Sequence, residues 1–147
     1  YFDISELLET VEGEEQLADR HIKVGRQVSP DTLVYGDHYF LKRALKNLLS
    51  NALRYAKTEV DFIYAQTEAH YCLTVRDDGP GIPEDQSEQV LKPFSKLDRS
   101  RTKTSGNYGL GLSIVEQIMT WHDGRIVVAS NPRGGADFVL SWPVVKP

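Results

Sequence analysis

The chain has 147 residues, the size of one domain, and 40% of them are hydrophobic, enough for a packed core. That excludes a disordered tail, and no apolar run approaches the ~20 residues of a membrane span. A net charge of −4 argues against a broad nucleic-acid surface, and the one cysteine, Cys72, points to a reducing compartment, most simply the cytoplasm. No basic-then-apolar leader opens the sequence, which starts on Tyr1 and reads as a single domain, 1–147, cut from something longer.

Asp3 with Glu6 three residues later is a capping-box pattern, and Ile4, Leu7, Leu8 and Val11 follow at helical spacing. Ile22, Val24 and Val28 then alternate up to Ser29-Pro30, and a short β-like run, Thr32–Tyr35, stops at Gly36. The strongest periodic segment comes next: Asp37 is an N-cap candidate, and Leu41, Ala44, Leu45, Leu48, Leu49 and Ala52 form one stripe. Two strand patterns follow, one through Val60, Phe62 and Tyr64, the other through Tyr71, Leu73 and Val75. Residues 84–108 are polar, with a short helix predicted near Glu84–Leu91. A third helix is predicted from about Leu110 to His122, stopped by Gly124. The end reads as a hairpin, Arg125–Ser130 and Ala136–Pro143, turning at residues 131–135. The pattern indicates an α+β fold: a two-layer sandwich with a mixed, mostly antiparallel sheet of about five strands and three helices on one face. Strands and helices do not alternate regularly, which disfavours a doubly wound fold.

Four constellations stand out. Asn47, Asn51, Arg54 and Tyr55 share one edge of the second helix, beside its apolar stripe. Two amides, a guanidinium and a phenol there can coordinate a metal, pair with phosphate and cover a ring; a solvated helix face is the plain alternative. Asp77-Asp78-Gly79-Pro80-Gly81-Ile82-Pro83 follows a strand directly, placing a carboxylate at a stiff turn where it can accept from an exocyclic amine. An ordinary β-turn would have the same composition. Gly106-Asn107-Tyr108-Gly109-Leu110-Gly111-Leu112 leads into the third helix, an arrangement that lets backbone N–H groups approach phosphate. It is not a P-loop, because no Gly-Lys-Ser/Thr follows. Between these last two motifs lie Lys92, Lys96, Arg99, Arg101 and Lys103 around Phe94, which reads as a basic lid over an anion. The histidines, His21, His38, His70 and His122, are scattered without metal-ligand spacing and read as structural or surface residues.

The order and spacing of these four boxes resemble the catalytic and ATP-binding domain of bacterial sensor histidine kinases, in the superfamily shared with gyrase B, Hsp90 and MutL. The resemblance runs from about Phe2 to Pro143 and implies the Bergerat ATP-binding fold. It further implies that Asn51, with Asn47, holds Mg²⁺, that Arg54 contacts phosphate and that Tyr55 packs near the adenosine. Asp77 would accept from the adenine amine, and Gly79, Gly81 and Ile82 would shape the base pocket. Phe94 matches the family's lid phenylalanine, Lys96 stands where relatives carry a γ-phosphate-binding arginine, and Arg99 can share that task. Asn47, Lys96 and Arg99 are thus the catalytic candidates, while Gly109, Leu110, Gly111 and Leu112 match the second glycine box. Three departures are visible. Asn107 replaces the first glycine of that box, Ala136 stands where relatives often carry a threonine, and no phosphoacceptor-histidine motif is present.

The activity implied is transfer of the ATP γ-phosphoryl group to a histidine on a separate helical domain, with a response regulator downstream. No nucleic-acid or membrane contact is expected of this domain, which would be monomeric alone. The parent is expected to be a homodimer anchored in the bacterial inner membrane, with this domain in the cytoplasm. Two rivals use the same pocket: a nucleotide-sensing module without catalysis, and an ATP-hydrolysing clamp. The clamp needs a glutamate where this chain has Asn47, and an amide cannot accept the proton of water.

Overall fold

The structure, a computed structural model, describes residues 1–15, 21–81, 108–131 and 133–144. In chain order the elements are β1 (Phe2–Asp3), α1 (Ile4–Glu14), β2 (Lys23–Gln27), β3 (Leu33–Val34), α2 (His38–Tyr55), β4 (Glu59–Gln66), β5 (His70–Asp77), α3 (Tyr108–Trp121), β6 (Arg125–Ser130) and β7 (Ala136–Pro143). The main sheet has five strands in the order β2-β4-β5-β7-β6. Only β2–β4 is parallel; the other neighbours are antiparallel. The expected α+β sandwich is therefore the observed one. The short helix expected near Glu84–Leu91 lies outside the described residues.

The two-residue period of β4, β5, β6 and β7 sorts their side chains into an inner and an outer face. Register then aligns the inner ones in rows across the sheet: Phe62, Val75, Phe138 and Val128 form one, and Tyr64, Leu73, Leu140 and Ile126 the next. Phe62, Val75, Phe138, Leu73 and Leu140 are completely buried. The helices cover these rows with the stripes that periodicity marked, Ile4, Leu7, Leu8 and Val11 from α1 and Leu41, Leu45, Leu48 and Leu49 from α2. Val115, Ile118 and Met119 of α3 complete the layer.

Caps fix where the helices begin. The Asp3 carboxylate accepts from Ser5 N at 2.9 Å, and from Asp31 N at 3.1 Å, which also ties β1 to the turn before β3. β1 itself, paired with β3 through Phe2–Val34 and Asp3–Leu33, was not visible as a strand in a two-residue stretch. Asp37 caps α2 by accepting from Phe40 N at 3.0 Å. Its own N–H donates to His122 Nε2 at 3.0 Å, so the start of α2 is pinned to the end of α3. His122 Nδ1 lies 2.8 Å from Ile118 O. Nε2 must accept from Asp37, so Nδ1 carries the proton and the ring is neutral. Phe138 sits in the middle of its row; Phe138→Ala should cost about 3–5 kcal/mol in denaturant unfolding, with the m-value unchanged.

Candidate functional site

The edge of α2 beside its apolar stripe carries Asn47, Asn51 and Tyr55 at four-residue steps, one above another. Asn51 is 6% exposed, and neither amide atom has a hydrogen-bond partner among the described residues. An amide buried in that way is costly unless something pairs with it. Asn47 is half-buried and its Nδ2 donates to Gly111 O of α3 at 3.4 Å, bringing two of the sequence motifs into contact. Tyr55 is buried at the end of the helix, whereas Arg54 points to solvent.

The third motif arrives at the same place from the sheet. Asp77, the last residue of β5, is 1% exposed. Its Oδ1 accepts from Gly79 N at 2.9 Å and from Ala136 N at 3.3 Å. The buried Ala136 thus contributes its backbone to this carboxylate. Gly79 must lack a side chain, because a Cβ would run into the Tyr55 carbonyl. The same holds at Gly135, where a Cβ would strike Asp77 O. Gly81 is buried and adopts φ +75°.

Two residues of this region escaped the sequence reading. Asn131 is buried at the hairpin turn and uses both ends of its amide. Nδ2 donates to Asp77 O at 3.0 Å and to Asp137 Oδ1 at 3.1 Å, while Oδ1 accepts from Arg133 N at 2.9 Å and Gly135 N at 3.3 Å. Asp137 is in turn gripped by Arg76 through two 2.9 Å bonds across β5 and β7. The Asn-Pro dipeptide signalled a turn, but nothing local signalled the link to Asp77.

Asp78 is the other. Pleating turns it away from Asp77, and its carboxylate accepts from Lys57 N at 2.8 Å, Thr58 N at 3.1 Å and Glu59 N at 3.3 Å, as well as from the Thr58 hydroxyl. It clamps the exit of α2 to the end of β5. Burial alone would raise its pKa, but the hydrogen bonds from Thr58, Glu59 and Lys57 outweigh burial and hold it at about 2, below the ordinary 3.8.

The helix that the glycine motif leads into is expected from about Leu110; α3 begins at Tyr108, so Gly109 joins Leu110, Gly111 and Leu112 in its first turns. The N–H groups of a first turn have no acceptor within the helix and stay available to a ligand. Leu112 is buried in the core. Ile82, Phe94, Lys96, Arg99 and Asn107 lie outside the described residues. Among the described residues no cluster of three or more His, Cys, Asp or Glu offers a metal site, and no helix is long and apolar enough to cross a membrane.

A mixed sheet under three helices, with a buried carboxylate, an amide unpaired among the described residues and a helix N-terminus close together, defines an α/β sandwich with a polar site between its layers. The profile of the family described as "Histidine kinase-, DNA gyrase B-, and HSP90-like ATPase" matches residues 36–146, and the chain belongs to that family. Within it, the similar proteins are sensor kinases. The chain is 35% identical over 142 residues to the sensor histidine kinase CpxA of Escherichia coli K12, covering 97% of this chain and 31% of that one. With RstB of the same strain it shares 38% identity over 136 residues, 84% of this chain and 31% of the relative. It therefore spans about a third of the length of the curated relatives it matches. Among solved structures it superimposes on the mycobacterial sensor histidine kinase MprB with a TM-score of 0.86 at 26% identity, covering 99% of both chains. The nucleotide-free catalytic domain of histidine kinase ThkA gives 0.82 at 26% identity, over 99% of this chain and 97% of that one.

Two predictions follow from the clamps. Asp78 has its pKa depressed on folding, so its contribution is complete above the unfolded-state value near 4 and fades as pH falls toward 2. Asp78→Asn should lose about 1–3 kcal/mol in urea unfolding at pH 7, and the gap to wild type should narrow as pH drops below about 4. Asn131→Ala, which leaves Arg133 N and Gly135 N without their acceptor and Asp77 O without its donor, should cost a similar ~1–3 kcal/mol and weaken nucleotide binding measured by calorimetry.

Proposed function

We propose that this domain binds ATP with Mg²⁺ and presents the γ-phosphoryl group to a histidine on a separate helical domain of the same longer protein. A response regulator would receive the phosphoryl group next. The observation that carries this reading is the convergence of three distant motifs around one buried amide, Asn51, unpaired among the described residues. Asn47 touches Gly111 from one side, and Tyr55 abuts Gly79 beside Asp77 on the other.

In this reading Asp77 accepts from the adenine amine and selects the base, with Gly79, Gly81, Ile82 and Tyr55 around the ring. The amide oxygens of Asn51 and Asn47 suit a hard cation, and an otherwise unpaired buried amide fits that demand. Mg²⁺, when bound, neutralises phosphate charge and orients the terminal phosphoryl group. First-turn N–H groups at Gly109 and Leu110, at the positive end of α3, hold phosphate oxygens, and Gly111 gives them room. Arg54, Lys96 and Arg99 add positive charge, with Phe94 and Leu110 closing the site over the nucleotide. Asn47 offers an amide and no base, so water is not activated and the phosphoryl group waits for the histidine. The relatives are named sensor kinases, and with this reading goes the proposal of a homodimeric, membrane-anchored parent that holds this domain in the cytoplasm.

Calorimetric titration of ATP, with and without Mg²⁺, tests the pocket. Asp77→Asn should weaken binding by about 10–100-fold, the loss expected when a hydrogen bond to a charged acceptor worth ~1.5–3 kcal/mol is removed. Supplied with a phosphoacceptor domain, wild type should transfer label from γ-labelled ATP while the isolated domain shows negligible hydrolysis. Unchanged affinity in Asp77→Asn, or hydrolysis on the order of 1 s⁻¹ by the domain alone, would overturn the reading.

A further inference from the structure

At the other end of α2 the surface changes character. Tyr1, Leu33, Tyr35, Tyr39 and Trp121 are exposed, the last to 59% and Tyr39 to 66%. Scattered apolar side chains are ordinary on a surface, but these cluster through their rings. Tyr1 packs edge-on against Tyr35 with centroids 5.2 Å apart, and Phe40 touches both Tyr39 and Trp121 at 5.1 Å. Between them lies a cleft of about 470 Å³, within the ~300–1,000 Å³ usual for ligand sites. It is separate from the nucleotide site, since eleven residues of helix put Phe40 about 16 Å from Asn51.

The cleft combines four aromatic rings, Tyr35, Phe40, Trp121 and Trp142, with two carboxylates, Asp37 and Asp123, and among the described residues no lysine or arginine lines it. Trp142 is fixed there by donating Nε1–H to Tyr35 O at 2.9 Å. His122 also lines the cleft, but its Nε2 accepts from Asp37 N, so the ring brings no positive charge to offset the acids. Aromatic faces attract cations, and a planar guanidinium stacks on them while its edge donates to carboxylates. We propose that this cleft receives an arginine side chain presented by a partner polypeptide. The charge pattern singles out that occupant: an apolar side chain would leave the negative charge of Asp123, and of Asp37, whose Oδ1 already caps α2, uncompensated, and an anionic one would be repelled by both.

The variants that test this are built into the geometry. Asp123 has φ +55°, a left-handed conformation that asparagine also tolerates, so Asp123→Asn removes the charge and keeps the turn. Trp121 is exposed, so Trp121→Ala removes a wall of the cleft without opening the core. The probe is Nα-acetyl-arginine amide, titrated into the 147-residue chain while the tryptophan indole N–H resonances are followed by NMR. The uncharged isostere Nα-acetyl-citrulline amide is the control. The expected result is a saturable shift with the arginine probe in the millimolar range, at least five-fold weaker with citrulline. Trp121→Ala should lose it and Asp123→Asn should weaken it at least three-fold, with ATP affinity unchanged in both. Equal response to the two probes would reduce the cleft to an apolar surface and overturn the proposal. So would no response at ~10 mM probe, a concentration that fills a millimolar site. Indole shifts that depend on protein concentration without any probe would assign the face to a second copy of the chain instead, and equally overturn it.

Discussion

A buried carboxylate at the end of a strand governs the architecture of this domain. Asp77 is almost wholly out of water, and burial disfavours the charged form of any carboxylate unless donors are fixed around it. Backbone supplies them: Gly79 N from the loop that follows and Ala136 N from the neighbouring strand. Both donors come so close only because side chains are absent where the backbones meet, at Gly79 against Tyr55 and at Gly135 against Asp77 itself. The sequence Asp-Asp-Gly at one place and Gly-Gly-Ala nearly sixty residues later are thus two halves of one requirement. Neither half explains itself alone.

Around that carboxylate the structure builds in two directions. Asn131 fastens the β6–β7 turn to the Asp77 carbonyl, and Asp137, held by Arg76, braces Asn131 in turn. On the other side Asp78 binds three successive backbone N–H groups at the exit of α2. The adjacent aspartates divide the work by pleating: one faces inward to the pocket, the other locks the helix that carries Asn47, Asn51 and Tyr55. A helix edge bearing a buried, unpaired amide can hold its place only if its ends are fixed by something other than that amide.

The elements themselves were largely legible in the sequence, because periodicity reports burial and burial made the core. The α2 stripe and the alternation in β5 mark the same residues that the structure buries, as does that in β4 except for Tyr64, which is half-buried. What the sequence concealed is non-local. Asp78 looked like a turn residue because its acceptor role depends on residues 57–59, about twenty positions earlier. Asn131 looked like one as well, because its amide reaches back 54 positions to Asp77. The helix after the glycine motif starts at Tyr108, two residues ahead of the expected Leu110: glycine disfavours a helix interior by roughly 1 kcal/mol, but packing of Leu112 and Val115 on the core stabilises a first turn that contains Gly109.

Helices α2 and α3 are antiparallel partners tied at two levels, Asp37 N to His122 Nε2 at one and Asn47 Nδ2 to Gly111 O at the other. Ten residues separate the ties on α2 and eleven on α3, about 15 and 16 Å of helix, so the two spans match without strain. That match lets both ties form at once, one near each end of the pair. The aromatic cleft is built on the Asp37–His122 end, from residues of both helices. The geometry of the pair therefore places the proposed phosphate site and the aromatic cleft near opposite ends of the same two helices, each beside one of the ties.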